Sequence, residues 1–409
     1  MGGVCCKSEI DFRNEEAQLK HFYLSRAIGK GSFGKVRIVR HKHTNKEYAL
    51  KYIDKTKCIQ RKAVNNVIGE RRLLERINHP LIVNLRYAFQ DDDTLYMALD
   101  LMLGGDLRFL LEREKRLSEL QVRFYVAEIS LSLSYLHRRR IAHRDIKPDN
   151  ILLDDQGHAH LSDFNVAAIF TDKRPLRYSS AGTTAYMAPE ILSKQGYSTT
   201  VDWWSLGVSA YELLFGERPF HGKTAEEYTD AVLHQPLRFP LNAYELVSDD
   251  CIQFLSGLLE KSPNRRLGCG PEGLVGIQSH SWFQGMDWIA LERKQSVPPF
   301  KPDSKMLNFD AVHEIEEILL EDPPLRSSRK RTQPEQQQPC VTEEARWMQI
   351  MEERFLPFDY EKKNMLEQQL QYSAKLNNAV RYDTQLGDDD ESTLVFSPTT
   401  TYQSQQTAA

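Results

Sequence analysis

The chain has 409 residues, 41% of them hydrophobic, which is globular in composition but too long for one average core and predicts two lobes with appendages. Its 53 basic and 57 acidic residues nearly balance, so general nucleic-acid binding through a basic surface is not expected. The six cysteines (Cys5, Cys6, Cys58, Cys251, Cys269 and Cys340) show neither metal-ligand nor secreted-disulfide spacing, which predicts a reducing cytoplasm, and no run is apolar and long enough to span a bilayer.

Residues 1–21 precede the first predicted strand. Gly2 behind Met1 suits N-myristoylation, and the adjacent Cys5 and Cys6 suit palmitoylation; a single acyl chain binds a membrane marginally, whereas two anchor it. Position 6 departs from the motif, with Cys where Ser or Thr is usual, and an N-terminal segment carrying two ordinary thiols is the alternative. The expectation is a cytoplasmic protein held peripherally at a membrane by acylation.

From Phe22 to Arg40 the pattern reads strand, glycine turn, strand. The turn is Gly29-Lys30-Gly31-Ser32-Phe33-Gly34, whose backbone amides can blanket phosphates. A dinucleotide fold needs a helix directly after such a turn, and here a strand continues through Val36. A P-loop needs Ser or Thr at position 36, which is Val. A plain hairpin is the reading left for the turn taken alone. Lys51 lies in the next apolar strand, Tyr48–Ile53, where a buried ammonium needs an anion; Glu70, on a helix predicted over Ala63–Ile77, is the suitable partner.

Leu81–Leu101 reads as two strands around Asp91-Asp92-Asp93. After Gly104-Gly105 helices dominate, over Leu117–Leu136, Ser198–Phe215 and Glu245–Leu259. Between them stands His143-Arg144-Asp145-Ile146-Lys147-Pro148-Asp149-Asn150. Here Asp145 is suited to orient a hydroxyl and accept its proton, and Lys147 to neutralise a phosphoryl group. Asn150 and Asp163 offer the hard oxygen donors that Mg2+ prefers. After residue 361 the composition is too polar to bury a core, which predicts disorder to residue 409.

These motifs together resemble a eukaryotic serine/threonine protein kinase from Phe22 to Phe283, closed by Met187-Ala188-Pro189-Glu190. The resemblance implies an α+β, two-lobed kinase fold, with a small antiparallel β-sheet lobe carrying one helix and a larger, mainly helical lobe. It implies ATP and Mg2+ as cofactors, protein substrates bearing Ser or Thr, and a monomer. ATP is expected under Ile28 to Val36, its adenine against Asp100 and Met102 and between Val36, Ala49 and Leu152. Leu74, Leu85, His143 and Phe164 match a stacked spine, Asp202 a brace for the catalytic loop, and Arg266 a partner for Glu190. The Trp203-Trp204 pair and the segment 284–360 resemble the AGC group, with Pro298–Pro302 and Asn308-Phe309-Asp310 as tail segments. Phe355-Leu356-Pro357-Phe358-Asp359-Tyr360 resembles its hydrophobic motif, in which Asp359 stands where a phosphorylatable Ser or Thr is usual. Asp163-Phe164-Asn165, Leu103–Leu107 and Ala181-Gly182-Thr183 are similar to the YANK subfamily. Asn165 replaces the usual glycine and is expected to take its positive φ while stiffening the turn. Ser179 aligns with the activation-loop phosphosite, with Arg144 as its cationic partner, and Asp106, Asp149 and Glu212 match positions that receive substrate arginines in some relatives. A catalytically weak scaffold, acting through its tail and membrane anchor, is the alternative.

Overall fold

Alternating apolar and polar residues from Phe22 onward become an antiparallel sheet in the computed structural model, which describes residues 16–30, 34–270, 272–303 and 342–370. Strands β1 (Phe22–Lys30), β2 (Gly34–His41), β3 (Glu47–Asp54), β4 (Leu85–Gln90) and β5 (Thr94–Asp100) lie in the order β1-β2-β3-β5-β4. Val39, Leu50, Tyr96 and Ala98 pack with Phe22, Tyr48, Tyr87 and Phe89 as the core on this sheet. Gly34 begins β2 where a Cβ would fall 2.0 Å from the Tyr52 carbonyl oxygen, so any side chain there would force β2 off β3.

Two helices follow β3. Asp54 turns out of the strand and caps α1 (Lys55–Gln60) by accepting from the Lys57 amide at 2.8 Å; periodicity alone did not indicate so short a helix. Next comes α2 (Val64–Leu74), shorter at its end than the sequence pattern suggests. The chain tightens there, Arg76 N donating to Leu73 O and Ile77 N to Leu74 O, so Ile77 is buried just past the helix.

In the helical lobe, α3 (Leu107–Glu114) precedes α4 (Glu119–Arg138), which opens on a capping box between Ser118 and Gln121. The apolar stretch near residue 200 becomes a helix over Val201–Phe215, buried almost throughout. The helix expected over Glu245–Leu259 is two, Ala243–Leu246 and Asp249–Leu258, because Ser248 leaves helical geometry to cap the Cys251 amide.

Beyond Phe283 the chain stays on the domain. Lys294 pairs with Asp154 at 2.6 Å, and Arg113 lies over the Phe300 ring. A tail helix, Glu343–Arg354, leads into a short strand, Phe358–Asp359, that pairs antiparallel with β4 and becomes the sixth strand of the sheet. Chain contacts divide the protein into one unit ending at Asp359 and another beginning at Tyr360. In the second, residues 360–370 are helical where the sequence reading expects disorder from 361; Lys, Glu, Leu, Met and Gln are strong helix formers, and Lys363 lies 4.0 Å from Glu367. Gly2, Cys5, Cys6, the segment Asn308-Phe309-Asp310 and residues 371–409 lie outside the described residues.

Candidate active site

A cavity of about 300 Å³ lies between the sheet and the helical lobe. Ile28, Gly29, Val36, Ala49 and Asp100 line it from the sheet, Met102 from the linker that follows, and Leu152 from the helical lobe. Lys51, Glu70, Asn150 and Asp163 supply its polar wall. Lys30 ends β1 and Gly34 begins β2, while Gly31, Ser32 and Phe33 between them are outside the described residues.

Strand β3 carries Lys51 to the cavity and α2 carries Glu70. The ammonium donates to both Glu70 carboxylate oxygens, at 2.8 and 3.0 Å. Burial opposes the charge on Lys51, but Glu70 and then Asp163 outweigh it and raise the lysine above its ordinary range. A lysine so held is a fixed positive charge at the cavity wall.

The catalytic run is positioned by a buried carboxylate. Asp202 accepts from the His143 amide at 2.9 Å, the Arg144 amide at 2.8 Å and His137 Nε2 at 2.8 Å. Burial works against its charge, yet His137 and these neighbours hold it below the usual aspartate range. Arg144 adopts φ 69, a strained backbone that the two amide bonds keep in place. Asp145 then meets Thr183, whose amide and hydroxyl donate to Oδ1 at 2.8 and 2.7 Å. Its Oδ2 receives Asn150 Nδ2 at 2.9 Å and lies 3.1 Å from the Lys147 ammonium. Lys147 also donates to the Thr183 hydroxyl at 2.8 Å. Burial raises the Asp145 carboxyl, but Thr183 and Lys147 more than compensate and hold it below its ordinary value. The sequence reading gave Thr183 no role. Its signal is the preceding Gly182, at φ 106, where a Cβ would stand 2.2 Å from the Arg144 carbonyl oxygen.

Asn150 and Asp163 are brought together by the chain between them: the Ser162 amide donates to the Asn150 carbonyl at 2.9 Å. The expectation for Asn165 needs correction. Asp163 takes the left-handed conformation, φ 60, and Asn165 does not. The turn is made two residues earlier, where a short polar side chain tolerates it, and Asn165 instead donates its amide to Asp163 Oδ1 at 2.5 Å. Phe164 is buried edge-to-face against His143, ring centroids 4.8 Å apart, and Leu74 and Leu85 are buried as well.

In the activation segment, Arg144 Nη1 lies 3.4 Å from the Ser179 hydroxyl and donates to the Tyr197 hydroxyl at 2.8 Å. Glu190 receives two bonds from Arg266, at 2.7 and 2.9 Å, in full burial. On the sheet, Phe355 is completely buried and Phe358 nearly so. Gln90, at the end of β4, donates to the Phe355 carbonyl at 2.9 Å and the Glu352 carbonyl at 3.1 Å, satisfying the end of the tail helix. Arg71, beside Glu70 on α2, reaches the Pro357 carbonyl at 3.3 Å, and Asp359 pairs in register with Tyr87. Gln90 is a contact residue that no motif announced, since a glutamine at a strand end has many uses.

Residues 22–283 match the protein kinase domain family. The chain is 44% identical over 336 residues to human serine/threonine-protein kinase 32B, covering 80% of this chain and 78% of that protein. It is 43% identical to human serine/threonine-protein kinase 32C, over 81% of this chain and 68% of that one. Against chicken serine/threonine-protein kinase Sgk1 the figure is 39%, over 73% and 69%. With the lysine–glutamate pair, the ordered catalytic run and the docked tail in one molecule, the chain belongs to the protein kinase family and is a serine/threonine protein kinase of the AGC group, similar to the YANK subfamily.

Proposed function

We propose that the protein phosphorylates Ser or Thr of protein substrates with ATP and Mg2+, in intracellular signalling, with its tail holding the active arrangement without a phosphorylation event. The observation that carries the reading is the network around Asp145, in which Thr183, Lys147 and Asn150 fix both carboxylate oxygens beside the cavity. Among the described residues no three carboxylate, His or Cys side chains gather as a self-sufficient metal site. One carboxylate, Asp163, and one amide, Asn150, suit a magnesium ion that phosphate oxygens help to hold. Bound there, the ion supplies neutralisation of phosphate charge. Lys51 pairs with phosphates nearer the sheet. Asp145 aims the incoming hydroxyl, whose oxygen forms the new bond to the γ-phosphorus as the bond to the ADP oxygen breaks. The hydroxyl proton passes to Asp145, and Lys147 balances charge on the moving phosphoryl. A peptide-library phosphorylation assay on the full chain tests this, with Asp145→Asn as its control.

In this reading the tail supports α2 through the Arg71–Pro357 contact, with Phe355 and Phe358 buried on the domain to seat it, and the Asp359 carboxylate is a standing charge at the usual phosphosite. Phe355→Ala with Phe358→Ala removes two buried rings, each worth about 3–5 kcal/mol of packing. Peptide kinase activity is expected to fall about 5- to 150-fold, the usual range of coupling between sites. Full activity in the double variant would defeat the proposal. Acylation at Gly2, Cys5 and Cys6 is proposed to hold the protein at membranes. Gly2→Ala should move it from the membrane fraction to the soluble fraction on fractionation, and unchanged partitioning removes the idea.

A further inference from the structure

Beside the transfer site, α3 presents Arg108 to a group of carboxylates. Its Nη2 donates to the Tyr186 hydroxyl at 2.7 Å and to Glu212 Oε2 at 3.0 Å, and its Nε lies 3.4 Å from Asp149. The Tyr186 hydroxyl donates to the same Glu212 oxygen. Asp106 is committed elsewhere, capping α3 by accepting from the Phe109 amide at 2.8 Å. The cluster is close to the chemistry. Tyr186 follows Thr183 by one short turn, and Asp149 lines the cavity next to Asn150. A peptide that brings its hydroxyl to Asp145 must pass these groups.

Without Arg108, Glu212 and Asp149 would offer two carboxylates to a guanidinium from the substrate, whose planar fork suits such a pair. With it, the more buried carboxylate is already engaged: Glu212 is 9% exposed and Arg108 26%. An arriving cation would have to displace a charge-assisted bond and approach a like charge. Burial of the Arg108 guanidinium is outweighed by Glu212 and its neighbours, which hold it firmly protonated.

We propose that Arg108 is a specificity-determining residue, filling from within the chain the carboxylate pocket of Glu212 and Asp149, so that the enzyme does not select arginine beside the phosphoacceptor. The proposal rests on the transfer geometry given above. The test is a positional peptide library phosphorylated by the full-length wild type and by Arg108→Ala, Arg108→Lys and Arg108→Ala/Glu212→Gln. Wild type should favour Arg over Ala by no more than about twofold at any flanking position, and Arg108→Ala should gain about tenfold at one of them, through KM rather than kcat. Arg108→Lys keeps a positive charge in the pocket and should remain as flat as wild type, whereas a merely structural role for Arg108 gives no gain of Arg selection in either variant. Removing Glu212 as well should abolish the gain. Strong selection for Arg by the wild type would overturn the proposal, as would a flat profile in a folded, active Arg108→Ala; if that variant melts early, Arg108→Gln decides in its place. Absence of transfer from every variant, wild type included, would overturn the catalytic reading and this inference together.

Discussion

Asp145→Asn is expected to lower kcat for peptide phosphorylation by about 10²–10⁴-fold, measured in steady state at saturating magnesium and ATP. The substitution keeps size and shape, so Oδ1 can still accept from the Thr183 amide and hydroxyl, and the loop should stay folded. What disappears is the charge that, in the proposed mechanism, orients the incoming hydroxyl and takes its proton. Asp145 is not among the residues lining the nucleotide cavity, so KM for ATP should stay within about threefold of wild type, the pattern of an interaction made in the transition state. The carboxyl is held below the ordinary aspartate range. It is therefore ionised at neutral pH, so the charge the proposed role needs is already in place before the hydroxyl arrives. Retention of more than about a tenth of the wild-type kcat would remove Asp145 from this role.

Arg266→Ala is expected to destabilise the helical lobe. The guanidinium is fully buried and bonds both oxygens of Glu190 together with the Glu260, Thr200 and Lys261 carbonyls. Truncating it strands a buried carboxylate and three carbonyls, a loss of about 3–5 kcal/mol. At ~2–4 °C per kcal/mol for a domain of this size, thermal unfolding should begin roughly 6–20 °C lower. Arg266→Lys should recover little, because an ammonium cannot reproduce the two-pronged bond. Replacing Glu190 with Gln in the Arg266→Ala background should recover part of the loss, since the stranded charge is then gone. A melting temperature within about 2 °C of wild type for Arg266→Ala would show that the pair is not what anchors the activation segment.

The residues of the nucleotide cavity were legible because each belongs to a short run with its own chemical logic. A lysine in an apolar strand demands an anion, and the helix predicted over Ala63–Ile77 offers Glu70. The catalytic run was legible for the same reason: Asp, Lys and Asn at close spacing have few other uses in common. Thr183, Gln90 and Arg108 were not, because each works through partners far away in the chain. Thr183 reaches Asp145 across 38 positions, and Gln90 reaches the Phe355 carbonyl across 265. Helix limits failed where a side chain caps the helix, as at Ser248, or the backbone tightens, as after Leu74, since periodicity registers faces and not ends. Asn165 shows a different limit. Tolerance of positive φ is a property of a residue type, whereas the bond from its amide to Asp163 exists only in the folded turn.

The strand at Phe358–Asp359 covers the outer side of β4. Were the chain cut before Phe355, the main-chain donors and acceptors of Tyr87 and Ala88 would face water as an open rim, a template on which another polypeptide could add itself. Inactivity of such a shortened enzyme would then mix two causes, weakened support for Glu70 and self-association.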